Sequence, residues 1–417
     1  MRVDILSHSH REPAVTASRL PEAPLAMTAP TSTADHLTAE VIARMPAAQQ
    51  PPWPDAQQVR HVLRNLPQQG FIDALSIQEL SQQLARAHDD ESLVLQLGDC
   101  VENIDSDVHA DTLRKLRFID EAAGHLCHPS RPVIRVGRLA GQHAKPRSSD
   151  FETVNGQTLP SYRGPAVNDP DPTPAARLPS ASKLAHSWAA AQAGHTAVAD
   201  YHREHSRRHR IWTSHEMLLI DYELAFLTYN GTSSYLSTTH WPWVGARTRQ
   251  LDGAHVALAA AVDNPVSVKV DATVTPDTAV ELARRINPDD APGKLTFISR
   301  MGRQDIVHLA VLAQAIRERA PRVLWVCDPM HGNTVSTSTG IKTRHVEHII
   351  DELTQFQQIL LDQRQRPAGI HLEASPDNIF ECSESGREPT LGRTYTTLLD
   401  PRLNHEQTVR VLSSWFA

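Results

Sequence analysis

The strongest constraint on what this chain can become is an alternation. Eight short apolar runs, Leu93–Leu97, Val133–Val136, Ile211–Thr213, Tyr235–Ser237, Val266–Val270, Leu295–Ile298, Val323–Val326 and Gly369–Leu372, are separated by longer stretches of helical periodicity. Runs this short and this apolar read as buried strands. Helices are expected at Asp111–Cys127, Ser182–Tyr201, His215–Leu227, Gly253–Val262, Pro276–Ile286, Gln304–Arg319 and Arg344–Gln363. Strands that alternate with helices build parallel sheets, because each crossover needs a dozen or more residues. Eight such units predict an α/β fold, a (β/α)8 TIM barrel. A doubly wound open sheet has the same alternation, and periodicity does not separate the two.

The barrel is expected over residues 91–417, behind two other regions. Residues 1–34, rich in Ala, Pro, Thr and Ser, read as a disordered leader. Residues 35–90 read as an N-terminal helical extension: Val59, Val62, Leu63 and Leu66 lie at i, i+3, i+4, i+7, and a second helix is expected over 76–87, with Ser76 and Glu79 in capping-box positions. Ser148 to Ala181 carries six prolines and two glycines and reads as a long excursion after the second strand. Loops of that size at a barrel's carboxyl face cover a site or make an interface.

Composition excludes some partners. Lys and Arg total 41 against 48 Asp and Glu, a net charge of -7, which argues against nucleic acid and membrane surfaces as partners. The four cysteines form no CxxC pair, and no apolar stretch has the length of a transmembrane or signal segment. A soluble cytoplasmic protein with reduced thiols is expected.

Chemistry-capable residues follow nearly every run, where barrels carry their active sites. Arg138, Lys145, Arg147, Arg247 and Arg300 fall at these ends, and Lys269 interrupts a valine run. Cations converging on one rim of an acidic protein point to a substrate with more than one phosphate or carboxylate. Cys100, His331, Glu373 and Asp400 lie at the same ends and offer one thiolate, one imidazole and two carboxylates. Such a mixed set suits Mn(II), Co(II) or Zn(II) better than Mg(II) or Ca(II).

Longer motifs carry a resemblance. Gly98-Asp99-Cys100, the run Arg138 to Ser148 (RLAGQHAKPRS), Trp212-Thr213-Ser214-His215-Glu216, Arg247 to His255 (RTRQLDGAH), Ser299-Arg300-Met301-Gly302, Asp328 to Thr334 (DPMHGNT), Lys342-Thr343-Arg344 and Asp400 to Asn404 (DPRLN) resemble the type II 3-deoxy-D-arabino-heptulosonate 7-phosphate (DAHP) synthases, in family order. Those enzymes open the shikimate pathway. The resemblance implies a (β/α)8 barrel and a divalent metal, Mn2+ or Co2+ with Zn2+ as a further option, held by Cys100, His331, Glu373 and Asp400. It implies phosphoenolpyruvate bound by Arg138, Arg247, Lys269 and Arg300, with Lys145 nearby. Arg147, Ser148, Lys342 and Arg344 match the end that takes erythrose 4-phosphate, and Lys145 or a water on the metal is the candidate proton donor. A homodimer is the family expectation. The short N-terminal part most resembles the compact branch found in secondary-metabolite gene clusters, such as those of phenazine producers, where aromatic feedback is not expected.

Three positions depart from the family pattern. Ala246 stands where Glu is usual, Val270-Asp271 stands where Gly follows the lysine, and Leu399 replaces a Cys, so no disulfide with Cys100 is expected. The departures fit neutral drift, an altered aldehyde such as that of an aminoDAHP synthase, or a catalytically silent paralogue that binds ligand.

Overall fold

The structure is a computed structural model that describes residues 38–126, 131–384 and 386–416. The expected leader and Cys127 lie outside the described residues. Eight parallel strands form one sheet: β1 Leu93–Gly98, β2 Val133–Arg138, β3 Ile211–Ser214, β4 Trp243–Val244, β5 Val266–Val270, β6 Leu295–Ser299, β7 Leu324–Cys327 and β8 Pro367–Glu373. Their order is β3-β2-β1-β8-β7-β6-β5-β4. Because β1 pairs with β8, with Gln96 beside His371 and Gly98 beside Glu373, the order is cyclic and a doubly wound sheet is ruled out. No full ladder joins β3 to β4. The barrel is nearly closed there by the Trp241 and Trp243 amides, which donate to the Thr213 and His215 carbonyls at 3.1 and 3.0 Å.

Period-two alternation divides the barrel interior into a dry floor and a polar top. Val94, Val136, Trp212, Ile298 and Val326 share one buried cluster with Leu80, Leu84 and Ala87, so the helix Ala74–His88 plugs the amino end. Two residues further along β1, β2 and β3 come Gln96, Arg138 and Ser214, which join Lys269 of β5 and His371 of β8 as buried polar groups. These polar groups stand on an apolar plug, which keeps water from reaching them from below.

Four expectations need correction. Tyr235–Ser237 is not the fourth barrel strand; Ser234–Leu236 pairs antiparallel with Leu227–Tyr229 around an Asn230-Gly231 turn. The real β4 is two residues long, too short to register as an apolar run. The helix expected over His215–Leu227 shrinks to Ile220–Ala225, because the His215 imidazole is buried against Glu223 at 2.9 Å instead of starting a helix. Ser76 is not a cap: the second helix begins at Ala74, capped by Asp73, whose carboxylate accepts from the Ser76 amide at 2.7 Å, and Glu79 pairs with Arg210. Arg344 belongs to the strand Lys342–Arg344, paired with Thr334–Ser336, and the helix starts at Val346.

The excursion holds the hairpin Phe151–Val154 and Gln157–Pro160 and the short helix Pro174–Arg177. Among the described residues no helix is long and apolar enough to cross a membrane.

Candidate active site

Glu373, at the end of β8, is the hub of the carboxyl end. It is fully buried, and Arg138 Nη2 and Arg344 Nη1 donate to its two oxygens at 2.9 and 2.7 Å. His331 Nε2 lies 3.1 Å away and Lys145 Nζ 3.6 Å. Burial opposes its charge, but His331, Lys145, Arg344 and Arg138 together hold its pKa well below the ordinary carboxylate range.

Cys100 follows β1 and is buried. Its Sγ, a Glu373 oxygen and an Asp400 oxygen all lie within 4.8 Å of one another. Lys145 Nζ sits in this group, 2.6 Å from Cys100 Sγ and bonded to Asp400. The cluster therefore demands positive charge, and its thiol and carboxylates fit a divalent cation of borderline softness. Burial, then Glu373, pushes the Cys100 thiol up to about 11, so its thiolate needs such a cation beside it. His331 reaches the group only through Glu373, because Asp328 Oδ2 holds its Nδ1 at 2.7 Å. Tyr162 and Leu399 pack against Cys100, and Cys100, Cys327 and Cys382 are free thiols.

The cations form a second layer. Lys269 Nζ donates to Asp328 at 2.8 Å and lies 3.2 Å from His371 Nε2. Arg138 Nη1 donates to the same nitrogen at 2.5 Å. Gln96 Oε1, 2.6 Å from His371 Nδ1, accepts that proton, which leaves Nε2 as the acceptor for both cations. Burial, then Lys269 and Arg138, keeps His371 neutral. Both cations also lie over the Trp243 ring, 5.2 Å for Arg138 and 5.6 Å for Lys269. His371 and Gln96 escaped the sequence reading. For His371 the signal is present: it sits two residues before Glu373 on its strand, and two-residue spacing puts side chains on one face.

Not every expected residue joins the site equally. Arg247 is exposed and makes no side-chain ion pair among the described residues; burial of part of its length and the neighbouring Arg300 lower its pKa. Arg300 lies 3.4 Å from Asp271, which also holds Arg249 at 2.8 Å. Arg147 is bound to Glu152, and Ser148 is exposed. Lys342 reaches Asp400 at 3.1 Å. Arg344 is fully buried and spends Nη1 on Glu373 and the Pro401 carbonyl, while its Nη2 has no hydrogen-bond partner.

Glu216 is a group the sequence reading did not single out for the site. One of its carboxyl oxygens is buried without a hydrogen bond, and burial raises its pKa against the pull of Lys269, Lys145, Arg138 and Arg247. A Cβ on Gly245 would lie 2.0 Å from that oxygen, so a larger residue there would displace the carboxylate.

The chain is similar to known proteins along most of its length. The model of the Class-II DAHP synthetase family matches residues 37–202 and 194–414. A probable phospho-2-dehydro-3-deoxyheptonate aldolase of Pseudomonas fluorescens is 38% identical, across 89% of this chain and 95% of that protein. Phospho-2-dehydro-3-deoxyheptonate aldolases of Mycolicibacterium smegmatis and Streptomyces coelicolor are each 34% identical, across 88% of this chain and 91% and 93% of theirs. Among solved structures, a truncated 3-deoxy-D-arabino-heptulosonate 7-phosphate synthase of Thermotoga maritima aligns at 13% identity with a TM-score of 0.40, over 78% of this chain and 85% of that one. With the family model matched from residue 37 to residue 414, this chain belongs to the Class-II DAHP synthetase family.

Proposed function

We propose that this chain condenses phosphoenolpyruvate with erythrose 4-phosphate to give DAHP and phosphate. The observation that carries the reading is the joint presence, at one barrel end, of the Cys100, Glu373 and Asp400 cluster and the Arg138, Lys269, Arg247 and Arg300 cations. His331 completes the ligand set for a divalent metal, with Mn(II) or Co(II) as the expected ions. A cation held there would supply Lewis acidity toward the aldehyde.

The remaining work falls to the chain. Arg138 and Lys269 are fixed by His371, Asp328 and Glu373, so they offer preset charge to an anion without first reorganising. Arg247 and Arg300 are freer and suit the phosphate and carboxylate of phosphoenolpyruvate. Orientation of the vinyl carbon toward the aldehyde is the main gain from such clamping. Positive charge then develops at the enolic carbon, where water adds before phosphate leaves. Lys145 holds a proton at Nζ among Asp400, Cys100 and Glu373 and is placed to deliver it to the new alkoxide. The apolar plug beneath excludes bulk water.

A second reading, condensation with another aldehyde such as an amino analogue, draws on Asp271. That carboxylate is engaged by Arg300 of the anion layer and by its neighbour Arg249 instead of pointing away. We also infer a role in secondary metabolism, from the resemblance to the compact branch of the family. Phosphate release from phosphoenolpyruvate with Mn(II), measured with erythrose 4-phosphate and with its amino analogue, separates the readings. Turnover with the first supports DAHP synthesis, preference for the second supports the altered aldehyde, and release with neither would leave a silent binding protein.

A further inference from the structure

A cavity of about 920 Å3 opens at the other end of the barrel. Five arginines from three separate elements face it: Arg86 on the plug helix, Arg131 just before β2, and Arg207, Arg208 and Arg210 just before β3. Two carboxylates share the lining, Asp90 and Glu91, and Asp90 is already paired with Arg131 at 2.8 Å and Arg366 at 3.3 Å. Arg210 is held by Glu79 and lies over Trp212 at 4.7 Å. Arg86 and Arg207 make no side-chain hydrogen bond or ion pair among the described residues.

In a protein of net charge -7, five arginines around one concavity, two of them without a side-chain hydrogen bond or ion pair among the described residues, leave a local excess of positive charge. Gln83 at its base accepts from the Trp212 indole at 3.2 Å, which turns its amide NH2 into a further available donor. Arginines on three sides suit a ligand with charge at more than one point, since one anion engages only one or two guanidinium forks. None of these residues belongs to the carboxyl-end site. The cavity does, however, lie at the start of β1 and β2, the strands that lead to Cys100 and Arg138.

We propose that this basal cavity is a second anion site, for a small molecule bearing two or more phosphates or carboxylates. The test uses the full-length, metal-loaded enzyme at low ionic strength, saturated with phosphoenolpyruvate so that the carboxyl-end cations are occupied. Fructose 1,6-bisphosphate and, separately, tricarballylate are titrated by calorimetry into the wild type and into the double variant R86S/R207S. Saturable binding of either probe, weakened roughly tenfold or more in the double variant with kcat and the phosphoenolpyruvate KM unchanged, is the expected result. Which probe binds assigns phosphate or carboxylate chemistry. Retained turnover shows that the variant is folded. Binding that survives the double substitution, or no saturable binding of either probe to the wild type, overturns the proposal.

Discussion

At the residue scale, the site is built from competition for a few carboxylates. Glu373 serves Arg138, Arg344, Lys145 and His331, and Asp400 serves Lys145 and Lys342. Cys100 is the soft member of the cluster and the sharpest probe of it. Cys100→Ser is expected to remove the sulfur-to-metal charge-transfer band of the Co(II)-loaded protein and to lower turnover by about 100-fold; a retained band would show that Cys100 is not a ligand. Asp271 tests the other layer. Its carboxylate occupies Arg249 and Arg300, so a substrate anion must compete with it. Asp271→Asn should lower the phosphoenolpyruvate KM roughly two- to fivefold with kcat little changed, the scale of a partly screened ion pair. A raised KM would mean that Asp271 positions the arginines instead of competing for them.

At the scale of elements, two loops meet backbone to backbone. Glu352, from the helix Val346–Asp362, accepts from the amides of Met301 and Gly302 at 3.1 and 2.8 Å and from Asn333 Nδ2 at 2.7 Å. It thereby ties the loop that carries Arg300 to the loop that carries His331. Burial, opposed by those bonds, pushes its carboxyl up to about 8. Gly302 has φ +83°, and a Cβ on Gly332 would lie 2.2 Å from the Gly302 nitrogen. Gly332→Ala must therefore part the loops. A shift of that size is expected to lower kcat by about 10- to 100-fold with circular dichroism unchanged; wild-type kcat would show that the contact is slack.

At the scale of the whole molecule, acid should unfold this protein early. His240 and His255 are buried, and burial, aided for His240 by His195, lowers the pKa of each below its ordinary 6.5. A depressed pKa in the folded state means that the unfolded chain takes up protons first. The stability tied to these residues is present above pH 6.5 and is lost as pH falls below it. The urea midpoint is expected to drop between pH 7 and pH 5, and His255→Gln, which cannot titrate, should flatten that fall. An unchanged slope in the variant would assign the loss to other groups.

Much of this molecule was legible in its sequence. The alternation of apolar runs and helices determined a parallel α/β fold, the pairing of β1 with β8 chose the barrel over an open sheet, and seven of the eight strands fell where apolar character is dense, because strands covered on both faces must be continuously hydrophobic. Cys100, Glu373 and Asp400 could be named from the sequence only as a set, through their places at or beyond the strand ends and through the family resemblance, and the fold brings their ligand atoms within 4.8 Å of one another. The tertiary structure alone decided the rest. A two-residue β4 carries too little pattern to be seen, and it is held in place by bonds from neighbouring strands. The pairing of His371 with Gln96 depends on β1 lying beside β8, a contact between strands 275 residues apart that closure of the barrel creates. Local sequence sets which residues face inward; only closure sets which of them meet.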